Sequence, residues 1–348
     1  MGCYWDLPQE EGGNADRMLS PGESFRYNLH ETDNDVRWSG TLWASTGCDK
    51  IDGCATGICN SPDTDHVCPA YVGPSGPTTK AEFTLSDSGI DFYDVSNIDG
   101  ANLPVMIQPD RPVYPEGATI PVRSPGLPKL STDLSNCNWS FDDFVPSLEG
   151  NLGQYLRLVL PEDYENLIEC ESDADCAGTT CGVHHRWENG AYSGGVLQGT
   201  CGMHVAWVSA GGVCAGGWTA GEFPDNFPYY CGDSVADGQR ANMYGCHGGA
   251  LSQSGYTPGA DSTVCGCPDW ENAGILAPAI SECVGINPEW VDVAQPWAEH
   301  LKACPTAYTF PYDDQTSTFT CQDLEGGVNT QSYTITFCPG NTEEAMFA

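Results

Sequence analysis

Between Phe25 and Leu103 apolar and polar residues alternate in short runs, SFRYNL, RWSGTLWAS, KAEFTL and DFYDV, separated by clusters of Gly, Asn, Asp and Pro. Alternation places every second side chain on one face, the pattern of a half-buried strand. The same signature returns in STFTC (317–321) and QSYTITFC (331–338). The two ends of the chain are therefore expected to share one antiparallel sandwich.

Between them the pattern changes. The stretch QPDRPVYPEGATIPVRSPGLPKL (108–130) is rich in proline, which donates no ladder hydrogen bond, and it reads as an exit from the sandwich. Residues 137–283 hold eleven cysteines, many glycines and little periodicity. Loops stapled by disulfides around a small core fit that texture. Helices are expected at NLGQYLRLVL (151–160) and EWVDVAQPWAEHLKAC (289–304), the latter with Asn287 as N-cap, Pro288 in the first turn and Pro296 interrupting it. The expected organisation is a mainly β chain: a sandwich domain over 1–107 plus 304–348, and a disulfide-rich loop and helix domain over 108–303.

Charge narrows the function. The 348 residues carry 48 acidic and 12 basic side chains, a formal net charge of −36. The eight Arg and four Lys are scattered singly. Nucleic acid and anionic membrane surfaces are therefore excluded as partners, because binding them needs clustered cations. The longest apolar runs, LRLVL (156–160) and GILAPAI (274–280), fall far short of the roughly 20 residues of a membrane span. Nineteen cysteines without the paired spacing of zinc sites point to disulfides and an oxidising, extracellular setting. No basic segment followed by an apolar stretch opens MGCYWDLPQEEGG, so a secretory leader is expected to lie outside this sequence. Asn138-Trp139-Ser140 is an N-glycosylation acceptor pattern consistent with secretion. A monomer is expected, with no cofactor and no metal.

Residues 81–100, AEFTLSDSGIDFYDVSNIDG, gather Glu82, Asp87, Asp91, Asp94 and Asp99 with only Lys80 beside them. Like charges at contact distance cost on the order of 1 to 4 kcal/mol per pair, so a cluster of this kind is either offset or used. Asp87 and Asp91 read as solvated turn residues. His184, His185, His204 and His247 lie near cysteines but with irregular spacing, and read as packed or surface residues. Glu171, Asp173 and Asp175 mimic the start of a calcium loop, yet Cys176 stands where such a loop needs Gly, so a polar loop bounded by disulfides is expected.

Several ordered stretches carry a family resemblance. Trp38 to Cys48 (WSGTLWASTGC) resembles the WSGRFWGRTGC stretch of thaumatin-like proteins, Cys54 to Cys59 (CATGIC) their CATGDC signature, and 81–104 their AEFTL…DFYDVSLVDGYNLP segment. CPTAYTFPYDDQTSTFTC (304–321) and YTITFCP (333–339) are similar to the family's ending. Cys170 to Cys176, Tyr244-Gly245-Cys246, 256–260 and 265–270 are similar to fungal members with an enlarged cysteine-rich region. The resemblance implies a β-sandwich, a disulfide-rich second domain, an acidic cleft between them, and disulfides Cys48–Cys54 and Cys59–Cys68. It also implies a strand before Ser20 tied to the last cysteine, here Cys338. That strand is expected to be missing, with Cys3 a poor substitute.

The cleft carboxylates of the family fall on Glu82, Asp94, Asp99 and one of Asp313 or Asp314, of which Asp313 is preferred because neighbours on a strand face opposite ways. Crowded carboxyls separate into an acid and an anion, which glycosidic cleavage requires. Glu82 is then the candidate general acid, with Asp94 or Asp99 holding water or stabilising the transition state, and β-1,3-glucan or another cell-wall polysaccharide is the implied partner. Phe92, Tyr93 and Trp43 are candidate flat faces for sugar rings. Two departures stand out: Thr41 replaces a family Arg in the cleft, and Ile58 replaces the signature Asp. An endo-β-1,3-glucanase and a non-catalytic wall-binding or antifungal defence protein are the two function classes left open.

Overall fold

The computed structural model describes residues 20–26, 38–48, 54–59, 73–86, 89–110, 129–130, 157–188, 191–209, 301–302, 306–310, 313, 317–321, 323–325 and 327–339. In chain order its strands are β1 (Ser39–Trp43), β2 (Ile58–Cys59), β3 (Pro74–Ser75), β4 (Lys80–Thr84), β5 (Asp91–Ser96), β6 (Val105–Pro109), β7 (Lys129–Leu130), β8 (Arg157–Leu160), β9 (Thr180–Glu188), β10 (Ala191–Trp207), β11 (Phe319–Cys321), β12 (Leu324–Glu325), β13 (Val328–Asn329) and β14 (Tyr333–Phe337). Helix is scarce among the described residues: a 3-10 turn, Asp173–Asp175, and Ser317. The chain is mainly β, as its alternation predicts.

Two layers make the sandwich. One is a five-stranded sheet in the order β1-β4-β5-β11-β7, and the other is the antiparallel pair β6 and β14. Their facing residues form one core: Ala81, Phe83, Tyr93, Val95, Val105, Ile107 and Phe319 are buried together, with Tyr333, Ile335 and Phe337 packed against them. Aromatic rings stack through its centre, Tyr93 lying 6.1 Å from Phe83, 6.2 Å from Phe319 and 5.0 Å from Tyr333. Both ends of the chain thus complete the same core. The strand expected at 24–29 is irregular over 24–26, and its remainder lies outside the described residues.

Asp91 corrects one expectation. It is buried, 2 % exposed, rather than a solvated turn residue. Its Oδ1 accepts the Ser86 amide at 2.8 Å and Asn329 Nδ2 at 2.9 Å, and its Oδ2 accepts the Tyr333 hydroxyl at 2.8 Å. Strand phase is the reason: Asp91 shares the inward face of β5 with Tyr93 and Val95, and its three donors offset its desolvation.

The middle of the chain departs further. The helix expected over 151–160 is instead strand β8 where it is described, with Leu158 and Val159 buried. A short apolar run fits either element, and tertiary partners decide: β8 pairs antiparallel with β10 and touches β9 in parallel at Leu158 and Val183. Strands β9 and β10 form a long antiparallel pair where loops were expected. Glu188 and Ala191 form a register pair at its end, and the two residues between them in sequence are Asn-Gly, a dipeptide that favours two-residue hairpins. Disulfides Cys170–Cys181 and Cys176–Cys201 bind this hairpin to the segment that leads into it. The Pro-rich stretch ends by rejoining the first sheet, because Lys129 and Leu130 pair in parallel with Phe319 and Thr320. The helix expected at 289–304 lies outside the described residues except for a turn at 301–302.

Among the described residues the hairpin meets the sandwich through a backbone pair. Ala101 and Trp207 exchange both backbone hydrogen bonds, at 2.9 and 2.8 Å. Gly100 makes that approach possible: its φ is +107°, and a Cβ there would stand 2.5 Å from the Trp207 carbonyl oxygen and 2.8 Å from Pro77 Cβ.

Candidate functional site

Strand phase builds the site. Ala81 and Phe83 of β4 and Asp91, Tyr93 and Val95 of β5 face the core. Lys80, Glu82 and Thr84, with Phe92, Asp94 and Ser96, therefore share the opposite face. The register Thr41↔Glu82 between β1 and β4, and Glu82↔Asp94 between β4 and β5, sets Thr41, Glu82 and Asp94 side by side in one row across three strands. Residues paired in this way hold their Cβ atoms about 5 Å apart. Thr41 Oγ1 donates to Glu82 Oε1 at 3.3 Å, so the residue standing in place of the family Arg is a neutral donor to the candidate acid.

The face is graded along the strands. Ser39, Thr84 and Phe92 at one end are exposed, the Thr41, Glu82 and Asp94 row is half-buried, and Trp43 and Ser96 at the other end are buried, with Lys80 half-buried between them. The closed end is covered by two segments. Trp43 Nε1 donates to the Gly57 carbonyl at 3.3 Å, and residues 301–302 and 306–310 dock on the end of β5 through Tyr308 N to Val95 O at 2.8 Å, Asn97 N to Tyr308 O at 2.7 Å and Asn97 Nδ2 to Leu301 O at 3.1 Å.

Two lysines pair with the remaining described candidate carboxylates. Lys80 forms an ion pair with Asp99, which sits in the turn after β5. Burial pushes the Lys80 pKa down, but Asp99, Glu82 and Asp94 together outweigh it and hold the ammonium above its ordinary value. Asp313 pairs with Lys302 at 2.6 Å, is 5 % exposed and also accepts the Thr309 amide at 3.4 Å. Lys302 lies 5.7 Å from the Phe310 ring centroid. Sequence reasoning missed Lys302, although one of only four lysines standing eleven residues before the candidate Asp was a usable signal.

Among the aromatic candidates, Phe92 is 39 % exposed on the same face as Asp94. Tyr93 and Trp43 are corrected to structural residues, since they are 1 % and 4 % exposed. Tyr93 lies in the opposite strand phase to Phe92, inside the core, and can present no flat face outward. Asp314 and Asp87 lie outside the described residues.

The disulfide Cys48–Cys54 is present, and Cys59–Cys68 lies outside the described residues. The sulfurs of Cys170, Cys176 and Cys201 lie within 4.8 Å of one another, but each is consumed by a disulfide and none is a thiolate ligand. The acidic loop nearby uses its carboxylates internally: Asp175 accepts the Glu171 and Ser172 amides, and Asp173 accepts Arg157 at 2.7 and 2.8 Å and the Cys181 amide at 2.8 Å. His184 and His185 are buried in the hairpin, and His204 packs edge-on to Trp207 at 4.8 Å. Among the described residues no helix is long and apolar enough to cross a membrane.

Comparison with known proteins fits this architecture. Residues 6–184 and 294–339 match the model of the Thaumatin family. Thaumatin-like protein 2 of Prunus persica is 42 % identical over 110 residues, 31 % of this chain and 45 % of that protein. Pathogenesis-related thaumatin-like protein 3.5 of Cryptomeria japonica is 25 % identical over 331 residues, 94 % of this chain and 80 % of its own length. A protein of Prunus avium named glucan endo-1,3-beta-glucosidase is 40 % identical over 82 residues, 23 % of this chain and 33 % of that protein. The chain thus spans less than half the length of the two Prunus relatives.

Proposed function

Because the chain belongs to the thaumatin family, we propose that it is a secreted protein that binds β-1,3-glucan along the row of Thr41, Glu82 and Asp94. The observation that carries this reading is the register that aligns these three residues on one sheet face, with Phe92 exposed beside them. Carboxylates accept hydrogen bonds from sugar hydroxyls, and an aromatic ring covers the apolar face of a pyranose. The row would form the floor of an acidic cleft, with the β9 and β10 hairpin as a wall. Its contact at Ala101 stands two residues from Asp99.

Hydrolysis is the catalytic extension of the same geometry. Glu82 takes the position of general acid to the leaving glycosidic oxygen, and Asp94, directly opposite, stabilises the oxocarbenium-like centre or directs a water to it. Asp99 and Asp313 are committed to lysines and act as support. A glucanase name on the Prunus avium relative favours this extension. Recognition without turnover is favoured by the lysine pairing, which neutralises two of the four candidate carboxylates.

Release of reducing ends from a soluble β-1,3-glucan, measured for the wild type and Glu82→Gln, separates the two. Release lost in the variant supports hydrolysis, and glucan pull-down without release supports recognition. Neither release nor pull-down by the wild type overturns the proposal.

A further inference from the structure

Lys80 lies in the register row just beyond Glu82 and Asp94, opposite Ser96 on one side and Trp43 on the other. Its side chain is 16 % exposed. Strand phase points it to the same face as Glu82, two residues away. Among the described residues its ammonium has one hydrogen-bond partner, Asp99. An ammonium carries three N–H donors, so a partner held on one side leaves two for a group arriving along the face.

Resting on the glucan reading, we propose that Lys80 is a further ligand-contacting residue: anchored by Asp99, its ammonium donates to a hydroxyl of the bound glycan at the closed end of the acidic row. Glu82 and Asp94 are acceptors only when ionised, and Thr41 spends its hydroxyl on Glu82. With both carboxyls ionised, the row alone therefore recognises hydroxyls solely as donors. Lys80 supplies the complementary polarity, so that adjacent hydroxyls of one sugar can be held as donor and acceptor together. It also fixes the ligand class as a neutral glycan. Asp99 already claims the ammonium's charge, and the carboxylates of Glu82 and Asp94 repel a uronate or sulfate brought to the same face. The raised Lys80 pKa keeps this donor protonated throughout the physiological range.

Two measurements on the full chain test this. The first is calorimetric affinity for a neutral β-1,3-gluco-oligosaccharide and for oligogalacturonate. Lys80→Met is expected to lose about tenfold in affinity for the neutral ligand, and Lys80→Arg, which keeps charge and donors, to stay within about threefold. Oligogalacturonate is expected to bind the wild type at least tenfold more weakly. The second is the ¹³C NMR titration of reductively methylated lysines, a spectrum of four residues plus the amino terminus. Asp99→Asn is expected to move the Lys80 midpoint down, because burial is then less opposed. Unchanged neutral-glycan affinity in Lys80→Met overturns the contact, and equal affinity for oligogalacturonate overturns the ligand class. An unmoved Lys80 midpoint in Asp99→Asn overturns the anchor. A wild type that binds neither glycan overturns the glucan reading and the contact with it, while the titration still decides the anchor.

Discussion

The Tyr333 hydroxyl donates to Asp91 Oδ2 at 2.8 Å across 242 positions of the chain, joining the two layers of the sandwich through a buried carboxylate. Hydrogen bonds to charged groups are worth about 1.5–3 kcal/mol, and an unsatisfied buried donor costs a similar amount. Tyr333→Phe is expected to lower unfolding free energy by about 2 kcal/mol, since Ser86 and Asn329 still serve the carboxylate. Asp91→Ala strands three donors at once and is expected to cost more than Tyr333→Phe. Urea denaturation followed by tryptophan fluorescence measures both. Equal midpoints for wild type and Tyr333→Phe would show that the bond contributes nothing.

Acid should loosen the hairpin. Burial, together with repulsion from Arg157, pushes the His204 pKa from its ordinary 6.5 down to about 4. Between those values the unfolded chain takes up a proton that the folded chain refuses. Stability is therefore full above about pH 6.5 and is lost progressively as pH falls toward about 4. At one pKa unit per 1.36 kcal/mol, the loss from this group approaches about 3 kcal/mol. His185, buried more completely and pushed down to about 3, extends the trend to lower pH. A His204→Gln variant is expected to show a flatter curve of unfolding free energy between pH 7 and 4. A curve that parallels the wild type's rejects the assignment.

The two hairpin disulfides should differ in worth. Cys176–Cys201 closes a separation of 25 residues and Cys170–Cys181 one of 11. Loop-closure entropy assigns about 3.5 kcal/mol to the longer and about 2.8 kcal/mol to the shorter. The double variant Cys176→Ala/Cys201→Ala is therefore expected to unfold at lower denaturant than Cys170→Ala/Cys181→Ala. The reverse order would mean that native-state contacts outweigh the constraint on the unfolded chain.

Much of the outer sheet was legible because β4 and β5 alternate cleanly, and the row of Glu82 and Asp94 follows from that phase once the strands pair. The same phase held the answer for Asp91, which shares parity with Tyr93 and Val95; composition argued for solvent and was the weaker guide. Tyr93 was misjudged for the matching reason, because an aromatic next to Phe92 in sequence points to the other side of a strand. LRLVL could not be read alone, since burial between β9 and β10 is decided by residues far along the chain. Asn189-Gly190 was a readable hairpin signal hidden among glycines whose surroundings suggested loops. Lys302 and Asp313 form an ion pair whose register no periodicity encodes.

The pairing of β6 with β14 and of β5 with β11 means that the sandwich is sealed by its own first and last thirds. Between them the chain is a long tether that, among the described residues, returns to the sandwich at β7, at Trp207 and at Tyr308. Each doubling of such a tether costs only about 0.6 kcal/mol in closure entropy. Away from those contacts the β8 to β10 unit can therefore be lengthened or trimmed at small entropic cost while the carboxylate row keeps its alignment.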